Sequence, residues 1–178
     1  MKQLRRILIF HILGAIFTII LGSFFHFIYE LSGFFKPVAL IGAVNESTWE
    51  HLKIGFWPAF LFTTIEYFAY GKKNKNFCFA KAINLYAIPI IITLLFYGYT
   101  LFIDHNLFLD IFIFIFSIII AYILSYNILV SQKEFSEYRI LSIILIIVGI
   151  IAFSLFSYFP LENFLFLDPA TGSYGIIK

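Results

Sequence analysis

The sequence predicts an all-α, polytopic bundle of about five transmembrane helices, and three observations predict it. Of the 178 residues, 62% are hydrophobic and only 12% are charged, where a soluble domain carries roughly 25% charged residues. A domain of this size leaves much of its surface outside any core, so the apolar excess has to face something other than water. The apolar residues also run in stretches of about 20, the length that crosses a hydrocarbon core ~30 Å thick. Finally, lysine and arginine concentrate in alternate loops, as the positive-inside rule requires of a multi-pass protein.

The first span is residues 7–29. Met1–Arg6 followed by an apolar run resembles a signal peptide. The run stays uncharged to Tyr29 with no small-residue cleavage pattern after it, so a retained helix is expected. An outer loop occupies 31–46, and its residues 31–44 are apolar, punctuated by Gly33, Pro37 and Gly42, and suited to lying in the membrane interface or dipping between helices. The second span, 49–70, is the weakest, because it contains Lys53, Pro58 and Glu66. Its ends carry Trp49, Trp57, Tyr67 and Tyr70, residues that anchor at interfaces. Without it, the lysine clusters would fall on opposite sides. Spans three to five follow at 82–103, 111–130 and 140–161, and a tail occupies 162–178.

With five spans, Lys2, Arg5, Arg6, Lys72, Lys73, Lys75, Lys81, Lys133 and Arg139 share one side, and only Lys36, Lys53 and Lys178 the other. The N-terminus is then cytoplasmic and the C-terminus extracytoplasmic, in the cell membrane. The rule ignores acids and histidines, yet most acids fall on or near the outer side, as do His26, His51 and His105.

Several classes are excluded. One cysteine, Cys78, permits no intrachain disulfide and no thiolate zinc site. There is no P-loop, no glycine fingerprint and no internal repeat. The basic loops suit anionic lipid, so a bilayer is the expected partner and nucleic acid is not. Five spans in so short a chain suggest a homo-oligomer or a membrane-protein partner.

The densest polar chemistry is Asn45-Glu46-Ser47-Thr48-Trp49-Glu50-His51-Leu52-Lys53, at the mouth of the second span. Ser47-x-x-Glu50 has capping-box spacing, with Asn45 as an alternative cap. Glu50 is therefore either a helix cap or a functional carboxylate. Glu50 and Lys53 are three apart, an ordinary helix ion pair, and His51 points about 100° away from Glu50. His26 and Glu30 are four apart on the first span, hence one above the other. Convergence of these elements would bring His26, Glu30, Glu46 and His51 together as ligands for zinc, manganese or iron, with Glu46, Glu50 and His51 as candidate catalytic groups. Asp104, His105 and Asp168 are further outer-side candidates, although a solvated turn is the favoured reading of the first two. Inside the bilayer, Glu66 either reaches Lys72 or Lys73 at the inner face or is a buried protonatable group. His11 is expected to be a hydrogen-bonded packing residue.

Val44-Asn45-Glu46-Ser47-Thr48-Trp49-Glu50-His51-Leu52-Lys53, preceded by His26-Phe27-Ile28-Tyr29-Glu30 and Ser32-Gly33, resembles the hallmark of a bacterial family of small integral membrane proteins of unknown function. The resemblance implies that this segment is distinctive but assigns no activity and no catalytic residue.

Three functions remain open from the sequence. The motif can be a structural latch in an accessory or partner-binding protein. It can be the centre of a metal-dependent hydrolase or transferase acting on a lipid or lipid-linked substrate. It can be the entrance of a small transporter using Glu66, Pro58 and His11.

Overall fold

A computed structural model describes residues 2–176. It contains five α-helices: α1 (Lys2–Leu31), α2 (Thr48–Ala69), α3 (Phe77–Thr100), α4 (Leu107–Val130) and α5 (Arg139–Leu155). Short 3-10 turns at Lys36–Leu40, Gly71–Lys73 and Ser136–Tyr138 punctuate the loops. No strand forms among the described residues beyond one isolated bridge between Leu167 and Tyr174 in the tail. The helices run alternately up and down. One end of the bundle, here called the tail end, carries the α1–α2 loop, the α3–α4 turn and the C-terminal tail. The opposite, N-terminal end carries the start of α1 and the α2–α3 and α4–α5 loops.

Four helical segments are long and apolar enough to cross a membrane: α1, α3, α4 and Ser136–Leu155. Large apolar side chains cover their outward faces, among them Ile20, Leu94, Phe112, Ile140 and Val148. Such a surface is compatible with a membrane protein, since a bilayer solvates it and water does not. α2 is the exception. It carries Glu50, Lys53 and Glu66, and all three are buried inside the protein rather than turned outward.

Several helices extend beyond or fall short of the expected spans, and two of these boundaries position polar groups. α3 begins at Phe77, not Ala82, because the Asn74 side chain accepts from the Asn76 amide and turns the chain into the helix early. Lys81, counted among the loop lysines, therefore lies one turn inside α3. α5 stops at Leu155, six residues short of the expected end, and the chain turns over Phe156–Phe159 before Pro160, which cannot continue a helix. Ser157 is thereby turned inward and fully buried.

The centre is apolar. Leu52, Phe56 and Ala59 of α2 pack with Leu85 and Ile88 of α3 and Ile118 of α4. α1 approaches closely through small residues, Gly14, Thr18 and Gly22, all buried on one face. A Cβ at Gly22 would lie 2.7 Å from the Ile54 carbonyl oxygen, a backbone atom that cannot swing aside. Gly22→Val is expected to lower the thermal unfolding temperature in detergent, by an overpacking penalty of about 1–3 kcal/mol. Gly98→Val, where a Cβ meets nothing within 4 Å, is the matched control and should melt no lower than the wild type.

Candidate functional site

Three polar centres are built around α2. The first lies at the tail end, where His26 on α1, His51 in the first turns of α2 and Glu46 in the loop before it come together. The two Nε2 atoms are 3.1 Å apart. Glu46 Oε2 stands 3.7 Å from His26 Nε2 and 3.6 Å from His51 Nε2. These are the atoms of one potential three-ligand group. His51 Nδ1 lies 2.9 Å from the Ser47 carbonyl oxygen, which can only accept, so Nδ1 carries the proton. The neutral ring then presents its Nε2 lone pair to the cluster, the tautomer that binds a metal, oriented by a backbone carbonyl behind it.

The two rings are within hydrogen-bonding distance of each other, His26 Nε2–H donating to the His51 Nε2 lone pair, whereas the carboxylate is not hydrogen-bonded to either. At 3.6 and 3.7 Å, Glu46 is too far from either imidazole for a hydrogen bond. A triangle with sides 3.1, 3.6 and 3.7 Å has a circumscribed radius of about 2.0 Å, the bond length of zinc to imidazole nitrogen or carboxylate oxygen. Two imidazoles and one carboxylate also match the donor set of many zinc and non-haem iron sites. The Glu46 side chain is 55% exposed and that of His51 36%, so one side of the cluster opens to solvent. Glu30, expected as a fourth ligand, is exposed and outside the group.

The second centre is a buried lock beneath the first. Lys53 Nζ lies 2.5 Å from Glu50 Oε2, and donates to the Ala39 carbonyl at 2.9 Å and to Ser157 Oγ at 2.6 Å. Those three contacts use all three ammonium donors. Glu50 also accepts from the Ser157 hydroxyl at 2.6 Å and the Val44 amide at 3.1 Å. The lock joins α2 to the 36–40 turn, to residue 44 and to the chain after α5. It replaces the expected capping box, because Glu50 points inward and Ser47 makes no side-chain cap. Asn45 takes part differently: its side chain accepts from the Ser47 amide at 2.9 Å and donates to the Gly175 carbonyl at 2.8 Å. The Trp49 amide at the helix start donates to the tail carbonyl of Leu165 at 2.9 Å. Trp49 itself is stacked between Phe153 and Phe166, with ring centroids 4.6 and 4.7 Å away.

The third centre lies toward the N-terminal end. Glu66 pairs with Lys81 of α3 at 2.5 Å and accepts from the Tyr70 hydroxyl at 2.6 Å. It does not meet Lys72 or Lys73, because Lys81 is already inside the bundle. His11 Nδ1 lies 2.9 Å from the Ile7 carbonyl and 3.5 Å from Glu66. Its Nε2 faces Ser125 Oγ at 3.3 Å and Lys81 Nζ at 3.4 Å. Glu66 and Lys81 are fully buried and His11 nearly so.

The remaining candidates are elsewhere. His105 pairs with Asp110 at 2.9 Å on the α3–α4 turn, and Asp104 is exposed beside it. Asp168 is buried but serves its own turn, accepting from the Ala170 amide at 2.9 Å and the Thr171 hydroxyl at 2.7 Å. Sequence reasoning missed Ser157 and the role of Lys81. Serine in a span carries no signal of its partner. Lys81 was legible only to a reading that started α3 at the Asn-Lys-Asn turn.

The chain belongs to a family of unknown function (DUF6512), which matches residues 1–176. No curated protein and no solved structure matches it.

Lys53→Met leaves the Glu50 carboxylate buried without its cation, a change that destabilises by about 3–5 kcal/mol. The expected result is a large drop in unfolding temperature and membrane abundance. Adding Glu50→Gln, which keeps an acceptor for the Val44 amide and removes the orphaned charge, should recover part of the loss. Equal melting of Lys53→Met and wild type would show that the pair does not hold this end together.

Proposed function

We propose that this member of a family without assigned activity is a metal-binding integral membrane protein, taking one divalent transition-metal ion through His26, Glu46 and His51. The observation that carries the reading is the geometry of the three donor atoms. Their mutual distances fit a shared zinc-class ion, and the carboxylate is too distant to be a hydrogen-bonded partner of either ring. All five helices cross the bilayer in this reading, α2 burying its charges against its neighbours and presenting Leu61, Ile65 and Phe68 outward. The basic N-terminal end then faces the cytoplasm and the cluster faces outward. A bacterial cell membrane and the Val-Asn-Glu-Ser-x-Trp-Glu-His-x-Lys segment as the family's hallmark complete it.

The role that best fits is accessory or partner-binding. Glu50, the carboxylate nearest His51 in sequence, is engaged on both oxygens and turned away from the cluster, so it supplies no base there. Passage of an ion through the bundle is disfavoured by the packing. Lys53 and Glu66 are thirteen residues apart on α2, about 20 Å at 1.5 Å per residue. Phe56, Ala59, Leu85, Ile88 and Ile118 fill the core between the two centres. A second reading, a metal-dependent hydrolase or transferase on a lipid or lipid-linked substrate, draws support from the open solvent side of the cluster, which leaves room for water on the ion.

Elemental analysis of protein purified in mild detergent tests the proposal. About one zinc, iron or manganese per chain is expected, falling to background in His26→Ala and His51→Ala variants that still melt cooperatively. Metal retained in both variants, or absent from a folded wild type resupplied with each ion, overturns it. Because a metal binds the deprotonated forms of its ligands and so releases protons, less metal should be retained as the pH is lowered from neutral. Equilibrium dialysis at successively lower pH reads the loss.

A further inference from the structure

A crevice of about 190 Å³ opens between α2, α3 and α5 toward the N-terminal end, away from the metal cluster. Thr63, Thr64 and Tyr67 of α2 line one wall, Phe77 and Cys78 of α3 another, and Ile146 of α5 the third. It is almost wholly apolar, as a site for an acyl chain must be. Two observations make it more than a gap between helices. Thr63 is only 7% exposed and its hydroxyl has no partner. The other threonines of the helices all have partners: Thr64, Thr93 and Thr100 return the hydroxyl to the carbonyl four residues back, and Thr18 and Thr48 meet the hydroxyls of Tyr122 and Tyr97. Thr63, one of the residues that line the crevice, keeps a buried hydroxyl without a partner. The second observation is charge at the crevice edge. Lys72 Nζ sits 4.6 Å above the Phe68 ring and 5.8 Å above the Tyr67 ring, and no carboxylate pairs with it among the described residues. Lys81, which also borders the crevice, is already neutralised by Glu66.

We propose that this crevice binds one phospholipid with an anionic headgroup. Its phosphate meets Lys72, an ester carbonyl accepts from the Thr63 hydroxyl, and its chain lies between Phe77 and Ile146. The spacing is suitable: Phe68, beneath the Lys72 ammonium, is five residues and hence about 7.5 Å along the helix from Thr63. A phosphate and the ester group below it are separated on that scale. The proposal is independent of the metal cluster.

Cys78, the single cysteine of the chain, lines the crevice and reports on its occupancy without any engineering. The full-length protein in mild detergent is alkylated with N-ethylmaleimide while phosphatidylglycerol, phosphatidylcholine or inorganic phosphate is added. Phosphatidylglycerol should slow the reaction at a concentration where the other two do not. Lys72→Glu should raise the concentration needed by about fivefold or more, and Thr63→Val should raise it while leaving melting unchanged. Equal protection by both lipids, protection by phosphate alone, or no protection by any of them overturns the proposal. If Cys78 is unreactive throughout, native mass spectrometry decides. Retained phosphatidylglycerol that disappears in Ile146→Trp supports the site, and wild type without lipid refutes it.

Discussion

A charge inside a helix bundle must have its full complement of partners, and α2 carries three such charges. Removing an ammonium or carboxylate from water costs several kcal/mol even after relaxation, and it is offset only when every donor and lone pair is met. Glu50 and Lys53 meet this condition through Ala39, Val44 and Ser157. Glu66 meets it in part, through the Tyr70 hydroxyl on one oxygen and the ion pair with Lys81 on the other. The two locks lie at opposite ends of α2 and recruit partners from α1, α3, the first loop and the chain after α5. Much of the rest of the architecture positions those partners: the apolar 36–40 turn brings the Ala39 carbonyl, the early end of α5 brings Ser157, and the early start of α3 brings Lys81.

The same helix start divides two kinds of chemistry between adjacent residues. Glu50 and His51 point about 100° apart, so Glu50 enters the lock while His51 emerges beside His26 and Glu46. The buried pair holds the first turns of α2 rigidly, and the Ser47 carbonyl fixes the imidazole proton on Nδ1. An imidazole supported in this way is preorganised, because its backbone and its ring proton are both held in place. The tail reinforces the arrangement through the Leu165 carbonyl on the Trp49 amide and through Phe166 stacked on the Trp49 ring.

Legibility differed by the range of the interaction. Long apolar stretches announced helices because span length and hydropathy are local quantities. The polar segment 45–53 announced a site because its cluster of charges needs explanation in an apolar chain. Spacing placed Ser47 and Glu50 in a capping box, but a carboxylate three residues into a helix can reach back to the cap or inward to a lysine, and only the presence of Ser157 and Ala39 decides. Glu30 had good helical spacing to His26, yet spacing within one helix says nothing about which face meets the neighbouring helix.

Composition and periodicity alone determined that this chain forms apolar helices, that the second of them carries an unusual polar load, and that histidines and carboxylates gather near its start. Those are properties of single segments. The tertiary structure decided that Glu66 pairs with Lys81, that Ser157 completes the Glu50–Lys53 lock, and that His26, Glu46 and His51 converge while Glu30, His105 and Asp168 do not. Such choices depend on how helices separated by up to a hundred residues rotate and shift against one another. That rotation is set by close approaches such as Gly22 on the Ile54 carbonyl and by the demand that each buried charge find its partners at once.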